Sequence, residues 1–169
     1  TALDLCVPKV EITGVDDDEA RAWKGSPEIL AALEAASVGH VTVPTEDLRV
    51  PVGARTLTFT RAEVGEWIEQ ALDARGPVNK RRDSLKGLVQ RDTLRRYDRD
   101  DIWGKATALR AALTKAWPTQ QPVKLVDALL PGPRGKKRMW TIADQFLVDE
   151  ANSLLNGTPF TFGHVVVDE

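Results

Sequence analysis

Apolar positions in this chain recur mostly at helical spacing. Ser26-Pro27-Glu28 is a helix start, with serine as N-cap and proline at the first helical position. Ile29, Leu30 and Leu33 then mark one face of a helix ending near Gly39. Thr60 and Glu63 form a capping-box pattern. Val64, Trp67, Ile68, Ala71 and Leu72 follow at i, i+3, i+4, i+7 and i+8, and Gly76-Pro77 ends that helix. From Val78 a weaker stripe of Leu85, Leu88, Val89 and Leu94 predicts helices over a strongly basic stretch. Ile102, Ala106, Leu109, Leu113 and Ala116 predict one long amphipathic helix stopping at Trp117-Pro118, and residues 123–130 a shorter one. Thr141 and Asp144 make a second capping-box start. The face after it holds Ala143, Phe146, Leu147, Ala151, Leu154 and Leu155, with Gly157 as C-cap and Pro159 just beyond.

Alternating patterns are fewer. Residues 7–13, 40–43 and 48–52 each suit a short strand, and 55–60 alternates strictly across the Gly53-Ala54 turn. The acids at 16–19 suit the N-terminus of a short helix around 20–24. Near the end, Gly163-His164 leads into Val165-Val166-Val167 and then Asp168-Glu169. A short β-branched run of this kind fits a strand buried on both faces, as in a parallel α/β sheet. Ligands of such sheets lie at the strands' carboxyl ends, where two acids are placed to hold a magnesium ion and handle a water. The plainer reading is a buried strand meeting solvent. The predicted fold class is α+β, mostly helical, with a small β-hairpin region.

Charge sharpens the picture. The net charge of −2 conceals three blocks. Residues 1–74 hold six basic and fourteen acidic residues, a net of −8. Residues 75–138 hold seventeen basic and six acidic, a net of +11, and residues 139–169 no basic and five acidic, a net of −5. A basic middle between acidic ends suits a polyanion or the acidic face of a partner protein. The candidate contacts are Lys80, Arg81, Arg82, Lys86, Arg91, Arg95 and Arg96, with Lys136, Lys137 and Arg138 in an exposed loop after Pro131-Gly132-Pro133. The alternative is a solvated helix face with its basic side chains outward. Asp98, Asp100 and Asp101 read most simply as a helix cap with surface charge. Trp67, Trp103, Trp117 and Trp140 sit at helical spacing or helix ends and read as core or boundary residues.

One cysteine, Cys6, and two histidines, His40 and His164, leave no disulfide framework and almost nothing for a zinc site. Cys6 reads as a small buried residue. No apolar stretch reaches the roughly 18 residues of a membrane span, and no signal peptide leads the chain, so a soluble, cytoplasmic protein is expected. No G-x-x-x-x-G-K-[ST] phosphate loop occurs. A chain ending on the tip of a buried strand is expected to be a piece of a larger protein.

The run from Trp140 through Asp144, Asp149 and Glu150 to Leu155, followed by Phe162-Gly163-His164-Val165-Val166-Val167-Asp168-Glu169, resembles the approach to motif II of UvrD-like superfamily 1 helicases. Within them it looks most like the actinobacterial branch of the HelD/HelR-type motor ATPases that act on RNA polymerase. Residues 5–16, Lys24-Gly25, the region 44–60 and Ala116-Trp117-Pro118 are similar to the stretch after motif Ia in the same proteins. The resemblance implies a segment between motifs Ia and II of a RecA-like P-loop domain. Residues 1–139 would be a helical and β insertion, and 140–169 the helix and motif II strand of the core. In that family the insertion enters the polymerase channel, helps open the clamp and displaces nucleic acid. The resemblance gives Asp168 the magnesium of bound ATP and Glu169 the attacking water. It makes Asp98, Asp100 and Asp101 candidates for the family's acidic channel loop. Partners implied are RNA polymerase, DNA and the remainder of the helicase chain. The isolated segment, lacking the phosphate loop, is expected to be inactive. The competing reading is a stand-alone basic nucleic-acid-binding module without enzymatic activity.

Overall fold

The computed structural model describes residues 10–98, 102–130 and 139–158. Among them the fold is α+β and mostly helical. Two short helices open it: α1 (Asp18–Lys24), with Asp17 accepting from the Ala20 backbone N–H, and α2 (Pro27–Val38), with Ser26 accepting from Ile29. Strands β1 (Leu48–Val52) and β2 (Arg55–Phe59) form an antiparallel hairpin in which Val52 faces Arg55 across Gly53-Ala54. Gly53 has φ +63 and Ala54 does not enter the left-handed region, the pattern of a type II′ turn with glycine first.

Helix α3 (Arg61–Leu72) follows directly. Thr60 and Glu63 close the expected capping box, and Val64, Trp67, Ile68 and Ala71 are buried. The Trp67 ring lies 5.5 Å from that of Phe59, tilted by 60°, and so fixes α3 to the hairpin. Residues 78–97 form one 20-residue helix, α4 (Val78–Tyr97), about 30 Å long. Its core face differs from the expected stripe. Val78, Leu85, Val89 and Thr93 are buried, Leu88 is half-buried and Leu94 is exposed. At its end Asp98 takes the left-handed conformation, φ 51, and its N–H bonds Leu94 O.

The single long helix expected over 102–116 is two. Helix α5 (Ile102–Lys105) and helix α6 (Thr107–Ala116) are separated at Ala106, whose backbone leaves the helical region at φ −86, ψ 66. The break lets α5 pack on α4 while α6 packs on β1, with Ile102, Ala106, Leu109 and Leu113 all buried. Helix α7 (Pro122–Leu129) and helix α8 (Ile142–Asn156) complete the order. Thr141 and Asp144 close the second capping box.

The core lies where α2, α4, α7 and α8 meet, continued by α3, α6 and the hairpin. Trp117, Phe59 and Leu33 are its largest fully buried side chains. Two expected elements fail. Residues 40–43 are not a strand: Thr42 donates its N–H to Ala116 O at 2.8 Å, so this stretch covers the end of α6 and joins no ladder. Of the expected strand 7–13, residues 7–9 lie outside the described part. Ile12 makes only an isolated parallel bridge to Trp140. Phe146, expected in the core, is 67% exposed, and Val148 takes its place. Among the described residues no helix is long and apolar enough to cross a membrane.

Candidate functional site

Helix α4 carries most of the candidate contact residues, and the fold sorts them into two kinds. Three are anchors. Arg81 donates from Nη1 to Leu72 O at 2.8 Å, meeting a carbonyl at the end of α3. Arg82 donates from Nε to Trp117 O at 2.7 Å and from Nη2 to Thr114 Oγ1 at 3.3 Å, meeting the end of α6. A cation at a helix C-terminus satisfies orphan carbonyls and complements the dipole. Arg96 bonds Glu63 Oε1 at 2.5 Å and pairs with Asp92 on its own helix. Glu63 also accepts from the Thr60 N–H, so Arg96 locks α4 onto the N-terminus of α3. The Asp92 hydrogen bond dominates in holding the Arg96 guanidinium above its ordinary pKa, and Glu63 adds to it.

The others face solvent. Lys80, Lys86 and Arg91 are exposed and make no ion pair among the described residues. Arg95 meets Asp92 at 3.2 Å, with its side chain 81% exposed. Asp98 is exposed at the helix end. Asp100, Asp101, Lys136, Lys137, Arg138, Asp168 and Glu169 lie outside the described residues, as do Cys6 and His164. The tryptophans fall as expected: Trp117 and Trp67 are buried, and Trp103 and Trp140 are half-buried against the core.

Anchoring matters because it makes α4 a rigid support. Its N-terminal turn is held again by Asn79, which donates to Gln120 O at 3.1 Å and to Asn156 Oδ1 at 2.8 Å, and accepts from Gln120 N at 3.2 Å. Gln120 in turn donates from Nε2 to Ser37 O. Nothing in the sequence spacing pointed to Asn79 or Gln120, because their partners are distant in the chain.

A second cluster also escaped sequence reading. Lys24 Nζ lies 2.6 Å from Asp16 Oδ1, 2.9 Å from Asp144 Oδ1 and 3.1 Å from Thr141 Oγ1. Burial pushes the Asp16 carboxyl up, but hydrogen bonds from Lys24 and Thr141 and the charges of Lys24 and Arg21 outweigh it. Its pKa therefore lies below the usual carboxylate value. The cluster joins α1 to the start of α8, beside a cleft of about 370 Å³ edged by Val15, Ile142 and Phe146. Every charged group in it is matched, which marks a structural clamp. Among the described residues no group of three or more His, Cys, Asp or Glu could hold a metal ion.

The chemical capacity on display is therefore presentation of positive charge along one helix and in the clefts beside it. No protein-family model matches the chain, and no curated protein matches it.

Proposed function

We propose that this chain is the contact-making segment of an ATP-dependent, helicase-like motor of the UvrD-like superfamily 1 type, one that binds RNA polymerase or DNA and displaces nucleic acid. The observation that carries the reading is α4. Lys80 and Arg91 make no ion pair among the described residues and stand on a 20-residue helix fixed by Arg81, Arg82 and Arg96 to the ends of its neighbours. Free charge on a rigid element serves recognition better than charge on a flexible one, because less ordering is lost on binding. In this reading residues 1–139 form an insertion, and 140–169 return the chain to the motor core. ATP and magnesium belong to the whole motor. Asp168 would serve the metal and Glu169 the attacking water, in a pocket completed by other parts of that protein.

The parent gene tests the motor. Codons for Ala-Gln-Asp directly after Glu169, with a Gly-Lys-Thr loop upstream, support it; a stop codon after Glu169 overturns it. Co-purification tests the contact. RNA polymerase should be retained by the chain and lost on the paired charge reversal Lys80→Glu and Arg91→Glu. Retention unchanged by that reversal would exclude α4 as the contact.

A further inference from the structure

The cleft between α4 and α6 holds a different arrangement from the outward edge of α4. Its volume is about 290 Å³. Arg82 and Lys86 line it from α4, Trp103 from α5 and Arg110 from α6, with Leu85 and Leu113 on its apolar side. Among the described residues three cations thus meet a single lining carboxylate, Asp83. Arg82 is held in place by Trp117 O and Thr114 Oγ1, and its Nη1 is a loose 3.7 Å from Asp83. Lys86 is exposed and free of ion pairs among the described residues. Among the described residues Arg110 makes a 3.3 Å bond to the Thr107 hydroxyl and no ion pair. Trp103 is half-buried: it packs against the core and also lines the cleft, so an aromatic side chain stands among these cations.

Cations flanking a fixed aromatic side chain are the combination that binds single-stranded nucleic acid. The backbone follows the charges while a base stacks on the ring. The volume lies at the lower end for a ligand site, room for a base and its sugar and too little for a folded partner element. A duplex keeps its bases stacked inside and cannot offer one to Trp103. An acidic peptide would use the cations and leave the indole without purpose. We propose that the α4–α6 cleft binds single-stranded nucleic acid, with one base against Trp103 and neighbouring phosphates on Arg82, Lys86 and Arg110. This goes beyond the motor reading and needs neither polymerase nor ATP.

The test is fluorescence anisotropy of a labelled oligothymidylate with the intact chain at low salt. Binding should weaken with salt at a log–log slope of about −0.7 per phosphate contact, so about −2 for three. Trp103→Leu should cost about tenfold in affinity and leave the slope unchanged, while Trp103→Phe keeps most of the affinity and controls for folding. Lys86→Glu and Arg110→Glu should each lower affinity and flatten the slope. The Lys80→Glu, Arg91→Glu pair, acting only through long-range charge, should weaken binding less than either cleft reversal alone, and its effect should vanish as salt is raised. No binding by the folded wild-type chain overturns the proposal. So does equal weakening by the outward pair, or equally tight, Trp103-independent binding of a polyglutamate peptide, which would indicate an acidic protein partner. A stop codon after Glu169 with oligonucleotide binding intact would overturn the motor reading alone; absence of oligonucleotide binding with the Ala-Gln-Asp codons present would overturn the cleft alone.

Discussion

Lys24 and Asp144 meet at 2.9 Å with almost no access to water, the lysine side chain 12% exposed and the aspartate 1%. Asp144 has a second task there, because its other carboxylate oxygen accepts from the Thr141 N–H to close the capping box of α8. One buried carboxylate therefore starts a helix and ties it to α1. Removing the cation leaves a buried charge uncompensated, a change that typically costs about 3–5 kcal/mol. Lys24→Met should lower stability by that order in chemical denaturation. The double variant Lys24→Met, Asp144→Asn should recover part of the loss.

The same clamp sets an acid limit. The Asp16 pKa is depressed below its model-compound value of 3.8. A carboxyl of lowered pKa contributes stability that is fully present above its unfolded value and is lost as pH falls through the folded one. Asp16→Asn should therefore be less stable than the wild type at pH 7, and the gap should narrow as the pH falls below 3.8. A gap that does not narrow in paired thermal melts on acidification would place the effect elsewhere.

The two kinds of basic residue on α4 should separate cleanly under mutation. Arg82→Ala removes a charged hydrogen bond to Trp117 O and should destabilise by about 1.5–3 kcal/mol. Lys80→Ala and Arg91→Ala, on exposed positions, should stay within about 0.5 kcal/mol of the wild type. Polymerase retention should show the opposite order in stability-matched conditions: the exposed pair matters, and Arg82 matters only through folding.

That division could not be read from composition. Sequence placed Arg81, Arg82 and Arg96 in one basic stretch with Lys80 and Arg91, because charge count says nothing about which helix ends lie nearby. What was legible is local. The caps at Ser26, Thr60 and Thr141 and the core face of α3 follow from neighbours within a turn or two. What was not legible depends on tertiary partners. Helix α8 has apolar residues on more than one side. Packing against α2, α4 and α7 buries Val148 and leaves Phe146 out. The break at Ala106 likewise serves two different neighbours, α4 and β1. The long pairing of Lys24 with Asp144 has no local signal at all.

Gly157 closes α8 with φ +82, and a Cβ built there would lie 2.8 Å from Pro77 Cγ, which leads into α4. Backbone strain for a non-glycine residue in this region costs on the order of 1–3 kcal/mol, and the ring of Pro77 has little freedom to retreat. Gly157→Ala should therefore destabilise by about 2 kcal/mol or more. Gly87→Ala, in the middle of α4 with open space around its Cβ and an ordinary helical backbone, should stabilise by about 0.5–1 kcal/mol. Opposite signs in the two denaturation midpoints would confirm the geometry. A neutral Gly157→Ala would mean that the junction of α8 with the start of α4 is looser than described.

Asp149 offers the reverse pH dependence. Burial raises its carboxyl above the ordinary value, only partly countered by a hydrogen bond with Gln145, and its Oδ1 is buried without a partner among the described residues. An acid whose folded pKa is raised binds its proton more tightly when folded. Its protonated form therefore fits the native state best, and stability is lost as pH rises through the interval between unfolded and folded values. Asp149→Asn removes the charge and can keep a hydrogen bond with Gln145. It should raise the melting temperature at pH 7 and leave it unchanged near pH 3, where the wild-type carboxyl is already neutral. The shift should be small, since the group retains partial contact with water. A variant less stable than the wild type at pH 7 would mean that the ionised carboxylate is favoured by a partner and not penalised by its burial.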